Sequence, residues 1–143
     1  MKEIRGNLWD FYGKPGYVVC ITTNGTLKKN GEAVMGRGCA KEAQKRIPRV
    51  AAKLGILIAE EGNVLNRIPS EMVLAFPVKH NWWEKADLTL IRRSAEQLKA
   101  RDAEYIFILP RPGCGNGQRD WLREVKPLLE AVGLPDNVWV ISP

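Results

Sequence analysis

Four short apolar, β-rich runs, separated by stretches with helical spacing, constrain this chain more than any other feature. Tyr17-Val18-Val19-Cys20-Ile21, Met72-Val73-Leu74-Ala75-Phe76, Tyr105-Ile106-Phe107-Ile108-Leu109 and Val138-Trp139-Val140-Ile141 show no polar alternation, the pattern of strands covered on both faces. Between them, Leu88, Ile91, Ala95 and Leu98 share one side of a helix expected over 84–101. Leu122, Val125, Leu129 and Val132 do the same for a helix over 119–132. Pro127 within the latter removes a helical hydrogen bond and predicts a kink or restart. A further helix is expected over Cys39–Arg46, and another after Pro48, where proline suits a first helical turn. Strands alternating with helices predict an α/β sandwich with a mostly parallel sheet.

The length of 143 residues suits one domain, expected to span 1–143. Hydrophobic residues at 45% and charged ones at 27% exclude a disordered chain. The longest apolar stretch, Gly55-Ile56-Leu57-Ile58-Ala59, stops at Glu60-Glu61, far short of the roughly 18 residues that span a membrane. Met1-Lys2-Glu3-Ile4-Arg5 lacks the apolar core of a signal peptide. A cytoplasmic protein that uses no membrane is expected. The net charge of +6 favours an anionic partner, a nucleic acid or a phosphate-bearing ligand. Three cysteines, Cys20, Cys39 and Cys114, share no CxxC spacing, and His80 is the only histidine. Neither a disulfide framework nor a metal site is therefore expected, and no cofactor.

In a parallel sheet, ligands bind beyond the carboxyl ends of the strands, and three stretches there could carry chemistry. The first is Thr22-Thr23-Asn24, expected as loop after the strand, followed further on by Val34-Met35-Gly36-Arg37-Gly38 at a helix start. Its glycines permit a phosphate to approach free N–H groups, or simply make a tight turn. The second is Pro110-Arg111-Pro112-Gly113-Cys114-Gly115-Asn116-Gly117. Glycines at alternate positions suit an anion-binding nest better than a plain connector. The third is Phe76-Pro77-Val78-Lys79-His80-Asn81-Trp82-Trp83. Lys79 there is a nucleophile, an electrostatic clamp or a solvated charge, and Trp82 and Trp83 serve packing or base stacking.

Together these stretches resemble the macrodomain family, whose members bind ADP-ribose, and within it the branch of the DarG antitoxin macrodomain and the terminal ADP-ribose protein glycohydrolase. That branch has a strand opening with Gly-Asn or Gly-Asp and Leu, like Gly6-Asn7-Leu8, and a Met-Gly-x-Gly helix start, like Met35-Gly36-Arg37-Gly38. It has a Phe-Pro-x-Lys stretch with a nearby Trp, like Phe76-Pro77-Val78-Lys79 and Trp82. Its Gly-Cys-Gly loop ahead of Asp-Trp is matched by Gly113-Cys114-Gly115-Asn116-Gly117 and Asp120-Trp121. The resemblance implies a three-layer α/β/α sandwich around a mixed, mostly parallel sheet. It also implies an ADP-ribose site made of Asn7, Leu8, Thr22, Asn24, residues 35–38 and residues 113–117. Asn7 would meet adenine, Asn24 the distal ribose, and Lys79 the anomeric carbon as the catalytic group.

Three departures refine this. Gly117 stands where the protein-directed glycohydrolase carries an aspartate, which favours a DNA-linked substrate. The segment 25–33 is longer than in DarG, and Ile21 replaces an asparagine there. The sequence stops at Pro143, so no counterpart of the C-terminal region of DarG is expected. The expected function is an ADP-ribosyl glycohydrolase acting on a modified macromolecule, above all ADP-ribosylated DNA. Its alternatives are a non-catalytic ADP-ribose reader and a phosphatase on phosphorylated ADP-ribose. A monomer is expected, with single-stranded DNA meeting Lys28, Lys29 and Trp82 or Trp83.

Overall fold

The computed structural model describes residues 1–101 and 103–143. The chain runs β1 (Lys2–Arg5), β2 (Tyr17–Asn24), α1 (Cys39–Arg46), α2 (Val50–Glu61), β3 (Asn66–Arg67), β4 (Val73–Lys79), α3 (Leu88–Lys99), β5 (Ile106–Pro110), α4 (Lys126–Val132) and β6 (Val138–Ser142). A six-stranded sheet forms in the order β1-β6-β5-β2-β4-β3. Every pairing is parallel except β3 with β4, so the sheet is mixed. Side chains alternate across it. Cys20, Phe76 and Leu109 pack with Ile91 and Leu98 of α3 and Leu129 of α4. Val19, Ile21 and Ile108 pack with Ala43 of α1 and Leu54 of α2. That gives the three layers expected.

Both polar strand ends run longer than the apolar runs suggested. β2 continues through Thr22, Thr23 and Asn24, the last two buried, so this segment is sheet and not loop. β4 continues through Pro77 to Lys79. Proline is tolerated there because β3 pairs only with Leu74 and Ala75, which leaves β4 an edge at Pro77. Gly6-Asn7-Leu8 does not open a strand. β1 ends at Arg5, and Asn7 caps a 3-10 turn over Leu8–Phe11. The helix expected over 119–132 breaks as Pro127 requires: a π-helical turn at Trp121–Val125 precedes α4, with the proline in the first turn of the restart.

The helix expected over 84–101 starts at Leu88, because Asp87 caps it. Asp87 Oδ1 accepts from the N–H groups of Thr89 at 2.8 Å and Leu90 at 3.4 Å, while Oδ2 meets His80 Nε2 at 2.8 Å. The His80 contact, then the capped N–H groups, hold this carboxyl below its ordinary 3.8. A depressed folded pKa adds stability that is present above the unfolded value and lost as pH falls through the folded one. Asp87→Ala is expected to cost about 1 kcal/mol near neutral pH, the usual worth of a helix N-cap. Chemical denaturation across pH should show that gap closing below 3.8.

Candidate functional site

The connection from β2 runs towards β4 and that from β5 runs towards β6, so the chain diverges between two neighbouring strands. A crevice at the carboxyl ends of such strands is the expected ligand site of an α/β sheet. A cavity of about 560 Å³ opens there, lined from β2, the turn into α1, the end of β4 and the loop after β5. Its charged lining is Arg37, Lys79 and Arg111 against Glu84, a net positive mouth.

Of the residues singled out in the sequence, Thr22, Asn24, Met35, Gly36, Arg37, Gly38, Lys79, Gly113, Gly115, Asn116 and Gly117 line this cavity. Asn7, Leu8 and Cys114 do not. Asn7 is exposed and its Oδ1 accepts from Trp9 N–H at 2.9 Å, as the cap of the 3-10 turn. Leu8 is core. Cys114 turns its thiol to Pro112 O at 3.5 Å, and burial pushes its pKa up to about 11.

The turn into α1 is built from backbone conformations that favour glycine: Gly36 has φ +65° and Gly38, the helix N-cap, φ +70°. Behind it, Cys39 at the first helical position ties α1 to β2. Its Sγ accepts from Thr22 N–H at 3.3 Å and lies 3.2 Å from Thr22 Oγ1. Burial, the largest influence, raises the pKa of this thiol and keeps it neutral. Cys39 lines the cavity, and its place just after Gly38 is the signal that could have found it.

The three alternating glycines after β5 do different work. A Cβ at Gly113 would come within 2.8 Å of Ile91 Cδ1, and one at Gly117 within 2.6 Å of Gly113 O. Both are small because the loop curls tightly against Ala86, whose N–H donates to Gly117 O at 3.0 Å. A Cβ at Gly115 would meet nothing within 4 Å. The N–H groups of Gly115, Asn116 and Gly117 donate to no acceptor among the described residues. Neighbouring N–H groups left open in this way are able to receive an anion.

Lys79 crosses this opening. It ends β4 opposite Asn24 of β2, is half-buried, and donates through Nζ to Trp82 O and Asn116 O, each at 3.3 Å. Burial first, and the charge of Arg37 second, lower its pKa below the ordinary 10.5. Asn24 is spent on its own loop: Nδ2 donates to Val34 O and Oδ1 accepts from Thr26 N–H, both at 2.9 Å. Trp82 and Trp83 are 51% and 64% exposed at the mouth, rings edge-to-face at 5.9 Å, so packing does not account for them. Arg111 and Glu84 are lining residues that sequence reasoning did not select. Arg111 opens the glycine loop, which was the available signal; nothing in the order of residues marks Glu84. Among the described residues, no cluster of His, Cys, Asp or Glu could hold a metal ion, and no helix is long and apolar enough to cross a membrane.

No family model matches the sequence, and no curated protein matches it. Solved structures do. The macrodomain of Thermus aquaticus DarG is 26% identical with a TM-score of 0.72, over 99% of this chain and 97% of that one. The macrodomain of Mycobacterium tuberculosis DarG shares the fold at 19% identity and TM-score 0.71, over 99% and 97%. Thermosipho africanus DarTG, solved in complex with ADP-ribose, shares it at 18% identity and TM-score 0.75, over 99% of this chain and 42% of that one. Over nearly its whole length the chain therefore has the macrodomain fold and is similar to the macrodomain of Thermus aquaticus DarG.

Proposed function

We propose that this chain holds ADP-ribose in the cavity and cleaves the bond joining the distal ribose to a modified macromolecule, above all a nucleobase of DNA. The turn at 36–38 and the open N–H groups of 115–117 receive the pyrophosphate, helped by Arg37 and by the positive end of α1. Asn24 shapes the ribose wall through the loop that it holds. Asn7 has one Oδ1 lone pair left for an adenine amino group, the other taking Trp9 N–H. The observation that carries the proposal is Lys79, whose amino group donates to Trp82 O after β4 and to Asn116 O in the glycine loop and lines the same cavity as the open N–H groups.

Removal of one proton makes this amine a nucleophile. Its lone pair would attack the anomeric carbon while the bonding pair departs with the base, which takes up the proton that the new ammonium releases. The glycosylamine then opens to a Schiff base, and water hydrolyses it to free the sugar and the amine. Burial and then the charge of Arg37 ease that deprotonation, while a bound pyrophosphate opposes it, so a cationic Lys79 that only polarises the anomeric carbon is the second form of the mechanism. The sign of the pH dependence separates the two. With the neutral amine as reactant, kcat rises with pH up to the depressed lysine pKa and then levels, whereas a cationic stabiliser gives a falling limb. Borohydride should trap a protein-linked sugar only in the first case.

The test is incubation with ADP-ribosylated DNA and ADP-ribosylated protein in parallel. Release from DNA above protein is the expected result, and the exposed indoles at the mouth support a planar leaving group. The basic lining also fits a reader that binds without turnover. In that case ADP-ribose raises the melting temperature by mass action but neither substrate is cleaved. Calorimetry and melting curves that both stay flat at millimolar ADP-ribose would overturn the two together.

A further inference from the structure

The segment at 25–34, between β2 and the glycine turn, forms a hairpin. Leu27 pairs with Ala33, Lys28 N–H donates to Glu32 O at 2.8 Å, and Val34 N–H donates to Thr26 O at 3.0 Å. Asn24 staples both legs through Thr26 N–H and Val34 O. The tip is seated on α2. Ala33 N–H donates to Ala51 O at 2.9 Å, and a Cβ at Gly55 would lie 2.0 Å from Gly31 O. Glycine in a helix interior ordinarily costs about 1 kcal/mol against alanine. Here it admits the hairpin's backbone.

The other face of the hairpin meets the segment after β4. Gly25 N–H donates to His80 O at 3.0 Å. The Thr26 hydroxyl accepts from Trp82 N–H at 3.1 Å and donates to Asn81 Oδ1 at 3.5 Å. The carbonyl of the same residue, Trp82, accepts from Lys79 Nζ at 3.3 Å. Continuous contact therefore leads from α2, through the hairpin and one hydroxyl, to the Trp82 residue that holds the lysine.

We propose that the 25–34 hairpin is a positioning device for Lys79, and that Thr26 is its working residue, fixing Trp82 so that its carbonyl holds the lysine amine over the cavity. Thr26 touches no reacting atom; it acts through Trp82. In this role it sets both where the amine sits and how far it is withdrawn from water. The importance assigned to Lys79 rests on the function proposed above, but its placement by Thr26 can be measured without any turnover.

The experiment compares Thr26→Val, which keeps shape and loses the hydroxyl, with Thr26→Ser, which keeps it. Lysine labelled with carbon-13 and nitrogen-15 reports the titration of Lys79 by NMR, with Lys79→Arg identifying its signal. Thr26→Val should move the Lys79 midpoint up towards the ordinary 10.5, as the side chain swings into solvent, while Thr26→Ser leaves it in place. On a cleaved substrate, Thr26→Val should lower kcat about tenfold to a hundredfold, the loss that a displacement on the order of 1 Å produces. KM should change less than about threefold, because the pyrophosphate contacts are untouched. Gly55→Ala, which pushes the hairpin from its far side, should move the same Lys79 signal. An unshifted Lys79 titration in both Thr26→Val and Gly55→Ala overturns the proposal, whether or not the native chain is active. Should either variant fail to fold, as a melting curve would show, the other decides. A native chain that cleaves nothing overturns the hydrolase proposal alone and leaves the titration result standing.

Discussion

Lys79→Ala should lose at least about 10²–10³-fold in kcat on whichever ADP-ribosylated substrate the native protein cleaves, the scale for one preorganised electrostatic group and a lower bound for an attacking amine. ADP-ribose affinity should stay within about tenfold, or ~1.4 kcal/mol. The asymmetry follows from the site. Lys79 Nζ meets Trp82 O and Asn116 O, whereas the pyrophosphate would be received by the main-chain N–H groups of 115–117 and the turn at 36–38. Truncating the lysine leaves that backbone intact and relieves repulsion with Arg37, which opposes part of the lost attraction. Steady-state kinetics beside calorimetry separate the two quantities. Full activity in Lys79→Ala would sink the mechanism. Loss of binding in parallel with turnover would make the lysine a ligand clamp instead.

Gly115→Val is expected to weaken ADP-ribose at least a hundredfold, about 2.7 kcal/mol, with the fold stability unchanged within ~0.5 kcal/mol. A Cβ there enters open space, with no atom within 4 Å apart from its chain neighbours, at a glycine that lines the cavity. Gly117→Val supplies the contrast. Its Cβ falls 2.6 Å from Gly113 O and 2.8 Å from Ala86 Cβ, so backbone has to move. Overpacking of this kind costs about 1–3 kcal/mol. Melting curves with and without ADP-ribose should therefore show Gly115→Val losing the ligand shift alone and Gly117→Val losing intrinsic stability as well. Equal destabilisation by both would mean that the whole loop is structural.

The sandwich was legible because strand runs and helix faces are local patterns. Tyr17 to Ile21 has nothing polar to offer solvent on either face, and the 3.6-residue spacing of Leu88, Ile91, Ala95 and Leu98 commits one side of a helix to the core. The restart at Pro127 followed from the missing N–H of one residue. The glycine turns and Phe-Pro-x-Lys lie at the end of the sheet where the cavity opens, the end at which an α/β sheet ordinarily carries its ligand loops. What each polar residue does there depended on partners far away in sequence. Asn24 turns inward because Val34 and Thr26 come back to it through a hairpin. Lys79 belongs to a strand, not a loop, because pairing with Asn24 extends β4 past Pro77. Cys114 faces Pro112 while its neighbour Gly115 faces the cavity, since the loop must curl onto Ala86. Composition and periodicity determined which segments are buried, through the cost of leaving apolar surface in water. Register and loop closure determined which hydrogen bonds each buried polar group makes, because a donor or acceptor removed from water takes whatever partner the rest of the fold brings within reach.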